Sequence, residues 1–228
     1  MLLKLLPQML VDGLQLGFVY AIVALGYTMV YGVLHFINFA NAEIFMCGAF
    51  IGAEVLIALL GAAAGGGWTV FAFAVALLAA LVLTGLLGVF IERVAYRPLR
   101  SAPRLVPLIS AFGVSYFLQD FVRVAETFAH NSFYLTLPSI FKREFVLNEY
   151  TKVTVRAILI VGVCLAALAI LYTFIHRTKV GSAIRCVSQN QTMSALLGIH
   201  VNKTITTTFF VGAAMGGVAG RCSPSSMA

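Results

Sequence analysis

The feature that most constrains this chain is a series of long segments with almost no charged residue. The first, from Gly13 to Ala42, holds no Asp, Glu, Lys or Arg. A helix of roughly 20 apolar residues crosses the hydrocarbon core of a bilayer, so this segment is long enough to span it. The sequence therefore predicts an all-α, polytopic bundle of about six transmembrane helices. The later spans are predicted at about Glu43 to Ala62, Trp68 to Ile91, Leu105 to Arg123, Val153 to Ile175 and Thr204 to Gly220.

Composition excludes the other broad classes. The chain is 61% hydrophobic and 10% charged, whereas soluble domains carry about a quarter charged residues. The net charge of +7 comes from basic residues in short loops between apolar runs, so nucleic-acid binding is not predicted. The four cysteines occur singly, which argues against a metal site or a disulfide framework.

The sequence shows no enzyme motif. It contains no GxxxxGK[ST] phosphate loop, no HExxH and no GxSxG, the patterns that mark nucleotide hydrolysis or familiar hydrolases. We therefore predict that the chain is not an enzyme and holds no cofactor, and that any energy for transport comes from a partner.

Basic residues in short loops predict the orientation, because such loops stay on the cytoplasmic side. The segment from Val124 to Lys152 has balanced charges and is predicted to be external, as is the N-terminus. Two connectors are rich in basic residues and are predicted to be cytoplasmic; they carry Arg93, Arg97, Arg100 and Arg104, and Arg177, Lys179, Arg185 and Lys203.

A polar stretch from His35 to Asn41 interrupts the apolar pattern after the first span. Broken backbone is tolerated at membrane depth where protein or a water-filled cavity surrounds it. Polar side chains there tend to face a pathway, which makes Asn38, Asn41 and Glu43 candidate substrate-pathway residues. The alternative for Glu43 is a first-turn acid that stabilises the second helix through its dipole.

Other polar and small residues have simpler interpretations. Asp120 and Arg123 have the spacing of an ion pair on one helix, which is favoured over substrate contact. Glu54, within a span, either neutralises, pairs with another helix or lines a cavity. Small residues at Gly13 and Gly17, and at Gly212, Gly216 and Gly220, predict close helix packing.

The segment from Val180 to His200 is polar but keeps apolar residues at helical spacing. Pattern alone fits a helix that docks a partner and a helix on the membrane surface equally well. The apolar positions are Ala183, Val187, Ala195 and Leu196.

Four segments resemble one family. Gly17 to Phe50 reads GFVYAIVALGYTMVYGVLHFINFANAEIFMCGAF, Ile91 to Arg100 reads IERVAYRPLR, Leu108 to Asp120 reads LISAFGVSYFLQD, and Gly181 to Gly220 completes the set. Together they are similar to the LivH-type permeases of bacterial ABC importers for branched-chain amino acids.

That resemblance implies a multi-pass protein of the bacterial inner membrane that translocates Leu, Ile or Val. It implies a second permease subunit, cytoplasmic ATPase subunits that bind the ATP, and a periplasmic amino-acid-binding protein as partners. In such importers a short cytoplasmic helix fits a groove on the ATPase, and Ser188 to Gly198 corresponds to it. The implied coupling residues are Ser188, Gln189, Asn190, Ala195, Leu196 and Gly198.

Three departures from the family pattern bear on function. Many members read NFAHGE where this chain has Asn38 to Glu43, NFANAE, so the choice among amino acids or amides is open. An acidic residue is common where Gln189 to Gln191 reads QNQ, and Glu54 is not typical. After Gly220 the chain turns polar, which predicts a single permease domain over 1–220 and an aberrant tail over 221–228. The alternatives to an importer permease subunit are an inactive truncated fragment of such a permease and a stand-alone channel or ion-coupled carrier.

Overall fold

The computed structural model describes residues 2–62, 66–100, 102–103, 105–130, 144–148 and 151–222. A π-helical turn, Glu92–Tyr96, and a 3-10 turn, Arg97–Leu99, follow the third helix, and a short antiparallel hairpin pairs Glu144–Asn148 with Thr151–Thr154. Within the described residues the helices are α1 (Leu2–Leu34), α2 (Asn41–Ala62), α3 (Gly66–Ile91), α4 (Leu105–His130), α5 (Val155–Arg177), α6 (Lys179–Gln189), α7 (Gln191–Leu196) and α8 (Val201–Cys222).

The prediction of a polytopic helical bundle is confirmed. In the described part of the chain, helices α1 to α5 are long and apolar enough to cross a membrane. The predicted sixth span is the helix α8, which is more polar than the others because its first half carries Lys203 and several threonines. Helix α8 contacts α1, α2 and α3, and residues 212–222 in its less polar second half are all buried.

Glycines let the neighbouring helices approach α8 closely. A Cβ atom built on Gly48 would lie 2.5 Å from the Cα of Gly217, and one built on Gly212 would lie 2.9 Å from the carbonyl oxygen of Gly26. Of the three glycines predicted on a face of the last helix, Gly212 and Gly220 make such close contacts and Gly216 does not, whereas the contact of Gly217 was not predicted. The expectation for Gly13 and Gly17 is wrong within the described residues, because nothing lies within 4 Å of a Cβ at either position.

Contacts along α8 fix the directions of its neighbours. Phe73 of α3 lies under Arg221, whereas Gly88 lies against Ala213, so α3 and α8 run in opposite directions. On α2, Gly48 lies against Gly217 and Gly52 against Arg221, so these two helices run in the same direction. This alternation is what a chain that crosses a bilayer repeatedly requires.

The two basic connectors meet at one end of the bundle. Arg100, after α3, donates from Nη1 to Oδ1 of Asn202 at 2.8 Å, and Gln191 of α7 donates to the carbonyl oxygen of Val33 at the end of α1. We call this end, formed by residues 92–103 and 178–203, the connector end. Its arrangement agrees with the prediction that both connectors lie on one side of the membrane.

Two helices end later in the chain than predicted. Helix α4 continues past Arg123 to His130. Helix α8 continues to Cys222, and both Arg221 and Cys222 are buried in the bundle, so the last helix ends two residues after the predicted end of the span at Gly220. The rest of the predicted tail, 223–228, lies outside the described residues.

The close contact between α1 and α8 predicts a stability effect. A Cβ added at Gly26 would lie 2.8 Å from the carbonyl oxygen of Gly212, and backbone cannot yield as a flexible side chain does. Gly26→Ala is therefore expected to destabilise the bundle by about 1–3 kcal/mol, measured by thermal unfolding in detergent. The matched control is Gly162→Ala, because nothing lies within 4 Å of a Cβ there. Equal melting temperatures for the two variants would contradict this packing.

Candidate functional site

The predicted break between the first two spans is confirmed. Helix α1 ends at Leu34, and α2 begins at Asn41. His35 follows α1 with a positive φ of 57°, and its N–H donates to the carbonyl oxygen of Tyr31 at 2.8 Å. This left-handed residue with a bond back into the last turn is a common way for a helix to end. It turns the chain into the short segment 35–40, which we call the break.

Asn38 attaches the break to the end of α3. Its Oδ1 accepts a hydrogen bond from the hydroxyl of Tyr96 at 2.7 Å and another from the backbone N–H of Ala40 at 3.1 Å. Both Asn38 and Tyr96 are buried. The Nδ2 of Asn38 is also buried and has no hydrogen-bond partner among the described residues. The Oδ1 of Asn38 is thus held by two hydrogen bonds, whereas its Nδ2 remains a donor without an acceptor among the described residues.

Glu43 faces a different helix. Its Oε1 accepts from the Oγ of Ser115 at 3.0 Å and from the Nε2 of Gln119 at 2.7 Å. The residue lies in the first turn of α2 and is 9% exposed. The carboxylate therefore has the position of a dipole-stabilising acid and also joins α2 to α4. Ser115 and Gln119 were not predicted, although their spacing of four places both on one face of α4.

Asn38 and Asn41 line a cavity of about 380 Å³ between α1 and the break, which is open at the surface of this chain, since Tyr20 and Ile37 in its lining are exposed. The volume is in the range of small-molecule pockets. Glu43 does not line it, because its carboxylate points toward α4. The structure thus brings two of the three predicted pathway residues together and places the third behind them. The other lining residues are mostly apolar or aromatic, namely Tyr20, Val23, Ala24, Tyr27, Ile37, Phe39 and Ala42.

An ion pair between a buried glutamate and a half-buried arginine, which sequence reasoning missed, joins elements at the connector end. Arg100 forms a salt bridge with Glu92, and the second carboxylate oxygen of Glu92 accepts from the Oγ1 of Thr206 at 2.9 Å. Burial lowers the pKa of Arg100 below its ordinary value, while Glu92 opposes that shift, and an arginine stays protonated in proteins. The network joins the end of α3 to the start of α8.

The predicted coupling segment is a bent pair of helices on the connector end. Helix α6 buries Gly181, Ile184 and Val187 against the bundle. Asn190 then adopts an extended conformation and caps α7, its side chain accepting from the N–H of Met193 at 3.0 Å. Of the apolar positions predicted at helical spacing, Val187 faces inward, whereas Ala195 and Leu196 face outward.

Helix α7 ends in a motif that fixes its outer surface. Gly198 has φ +80°, its N–H donates to the carbonyl oxygen of Ala195, and the N–H of Ile199 donates to that of Ser194, both at 3.1 Å. This is the Schellman arrangement, which favours glycine at its left-handed position. It leaves Leu196 and Leu197 projecting from the protein, 78% and 77% exposed.

The same family emerges from comparison with known proteins. A family model described as "Branched-chain amino acid transport system / permease component" matches residues 9–228. The chain belongs to this permease family. No solved structure matches it.

Individual permeases match over nearly the whole chain. It is 38% identical over 218 residues to the high-affinity branched-chain amino acid transport system permease protein LivH of Escherichia coli strain K12. It is 40% identical over 218 residues to the permease protein BraD of Pseudomonas aeruginosa. In both cases the match covers 93% of this chain and 68% of the relative. The resemblance to LivH-type permeases is confirmed, and the chain is a multi-pass membrane protein and a permease component of a transport system.

One further pairing in this permease is confirmed. The Nη1 of Arg123 lies 3.5 Å from the Oδ1 of Asp120, and both side chains are largely exposed. Exposed pairs of this kind contribute roughly 1 kcal/mol or less. Asp120 therefore belongs to the surface of α4 and not to the cavity beside the break.

The ion pair between Glu92 and Arg100 predicts a test by double mutation. Glu92→Ala leaves the half-buried Arg100 guanidinium without its carboxylate, although it keeps the bond to Asn202, and is expected to cost about 1–3 kcal/mol, the value of a hydrogen bond to a charged group. Glu92→Ala combined with Arg100→Met is expected to be more stable than Glu92→Ala alone, since the charge is also gone. Thermal unfolding in detergent measures both. A double variant no more stable than the single one would show that the pair does not act as a unit.

Proposed function

We propose that this chain is a membrane-spanning permease subunit of an ATP-binding-cassette importer for branched-chain amino acids in the bacterial inner membrane. The observation that carries the proposal is the similarity to branched-chain amino acid permeases over 93% of the chain. Two features of the structure support it. A polar break borders a mostly apolar cavity, and a separate helix pair presents leucines to solvent at the connector end.

The cavity beside the break fits the proposed cargo chemically. Its apolar lining suits an aliphatic side chain, whereas the amides of Asn38 and Asn41 offer hydrogen bonds to the charged groups of an amino acid. The buried Nδ2 of Asn38 lacks a partner among the described residues, so this donor would bind a substrate carboxylate when movement of the break exposes it. The Glu43 carboxylate holds α4 against α2 behind this surface and adds negative potential near the substrate ammonium.

The proposed coupling surface is the outer side of α7. Met193, Leu196 and Leu197 are all exposed. A contiguous apolar patch of this kind marks a protein interface. We propose that it docks into a cytoplasmic ATPase subunit, which binds the ATP, and that the chain needs no cofactor of its own. A second permease subunit and a periplasmic binding protein complete the proposed importer.

The first test removes the docking surface. Replacing both Leu196 and Leu197 by Ser is expected to lower copurification of the ATPase roughly tenfold or more, because interface anchors of this size contribute 1–2 kcal/mol or more each. The measurement is the amount of ATPase recovered with the tagged permease. Cys186→Ser is the control, since Cys186 is exposed on the neighbouring α6 and outside the patch. Undiminished recovery with the leucine variant would contradict the docking assignment.

The second test concerns the pathway. Glu43→Gln keeps an oxygen that accepts from Ser115 and Gln119 but removes the charge. Uptake of radiolabelled leucine into proteoliposomes is expected to fall roughly tenfold, because hydrogen bonds to a neutral acceptor are weaker than those to a carboxylate and the negative potential near the substrate is gone. ATPase copurification is expected to stay unchanged. Asp120→Asn is the matched control, because it removes an exposed carboxylate from α4. Wild-type uptake by Glu43→Gln would remove Glu43 from the pathway.

A further inference from the structure

Gln191 makes a long-range contact between the coupling segment and the membrane-spanning helices. Its Nε2 donates to the backbone carbonyl oxygen of Val33 at 2.8 Å, across 158 positions of sequence. The other hydrogen bonds made by described residues of α7 stay within residues 190–199. The amide of Gln191 is thus the polar link through which α7 reaches the bundle.

The acceptor, the carbonyl oxygen of Val33, has no backbone N–H partner within α1. The last four carbonyls of an α-helix have no partner within that helix. Val33 lies in the last turn of α1, and the chain leaves the helix at His35, so no following N–H reaches its oxygen. Gln191 therefore caps α1 from outside. Because a buried carbonyl without a partner costs about 1–3 kcal/mol, the end of α1 is stabilised where α7 holds it.

The capped carbonyl lies close to the break. Val33 precedes His35 by two residues and Asn38 by five, and Phe36 between them packs edge-on against Tyr96 with 5.6 Å between ring centroids. A cavity of about 260 Å³, lined by His35, Phe36 and Gln191 among others, lies beside the contact. The space next to the hydrogen bond is therefore not filled by side chains, which leaves room for the end of α1 and α7 to shift together.

We propose that Gln191 is a positioning residue that transmits movement of the coupling segment to the break through its hydrogen bond to Val33. The inference rests on the proposed function and adds to it the route between the ATPase contact and the pathway. The property that matters is a donor at this position. A carboxylate at residue 191 could not donate to a carbonyl at neutral pH, whereas the amide can.

The test uses the full chain assembled with its partner subunits in proteoliposomes. The readout is the number of radiolabelled leucine molecules transported per ATP hydrolysed. Gln191→Glu, an isosteric change that removes the donor, is expected to lower this ratio roughly three- to tenfold, as the loss of one hydrogen bond implies. ATPase copurification is expected to stay at the wild-type level, because the docking leucines are untouched.

Two further variants distinguish the loss of a hydrogen-bond donor from the effect of an added charge and from a general loss of stability. Cys186→Glu introduces a carboxylate on the neighbouring α6, at an exposed position outside the coupling residues, and is expected to keep the wild-type ratio. Gln191→Lys restores a donor with the opposite charge and is expected to recover most of the ratio lost in Gln191→Glu.

The outcomes distinguish this inference from the proposed function. A wild-type ratio for Gln191→Glu overturns it, as does equal loss in Gln191→Lys and Gln191→Glu, since a donor would then not be the relevant property. Loss of ATPase copurification in Gln191→Glu also overturns it, because Gln191 would then act in docking. If the wild-type chain itself neither recovers an ATPase nor transports leucine with one, the proposed function fails instead.

Discussion

The structure depends on the close packing of α8 inside a ring formed by α1, α2 and α3. Protein surrounds the second half of α8, where residues 212–222 are all buried. That burial is possible because glycines remove the side chains that would hold the backbones apart, as where Gly26 meets Gly212 and Gly48 meets Gly217. Membrane helices gain little from excluding lipid, so contact distance and hydrogen bonding decide how they associate. Thr207 and Thr208 of α8 donate to carbonyl oxygens of their own helix, those of Lys203 and Thr204.

Around this closely packed core, polar contacts hold the break and the helix ends next to it in position. Tyr96 holds Asn38, the Glu92 and Arg100 pair holds the start of α8 through Thr206, and Glu43 joins α2 to α4. All of these groups are buried or half-buried, where an unpaired polar atom is costly. The break can therefore leave helical geometry without unfolding, since its neighbours supply the partners that the interrupted helices lack.

Sequence alone predicted the features that depend on local pattern. The spans, the break after α1 and the Asp120 and Arg123 pair follow from uncharged length, polarity and spacing. The central place of α8 could not be predicted, because its composition is the least apolar of the predicted spans and its burial arises from distant helices. The partners of Glu43 lie more than 70 positions away, and the partner of Gln191 farther still. Such pairings depend on how distant helices pack together, and no local pattern in a single sequence indicates that packing.

The glycine contacts of α8 and the hydrogen bonds at the connector end differ in how much displacement they tolerate. Glycine contacts between backbones tolerate almost no displacement, since a shift of a few tenths of an ångström brings atoms into overlap or opens a void. A neutral hydrogen bond such as that between Gln191 and Val33 contributes only about 0.5–1.5 kcal/mol net, so it can lengthen or exchange at small cost. Alternation between two conformations needs states within a few kcal/mol of each other. The stiff contacts lie within the bundle and the soft ones at the connector end, so a partner acting on α7 would move the break while α8 and its ring stay in place.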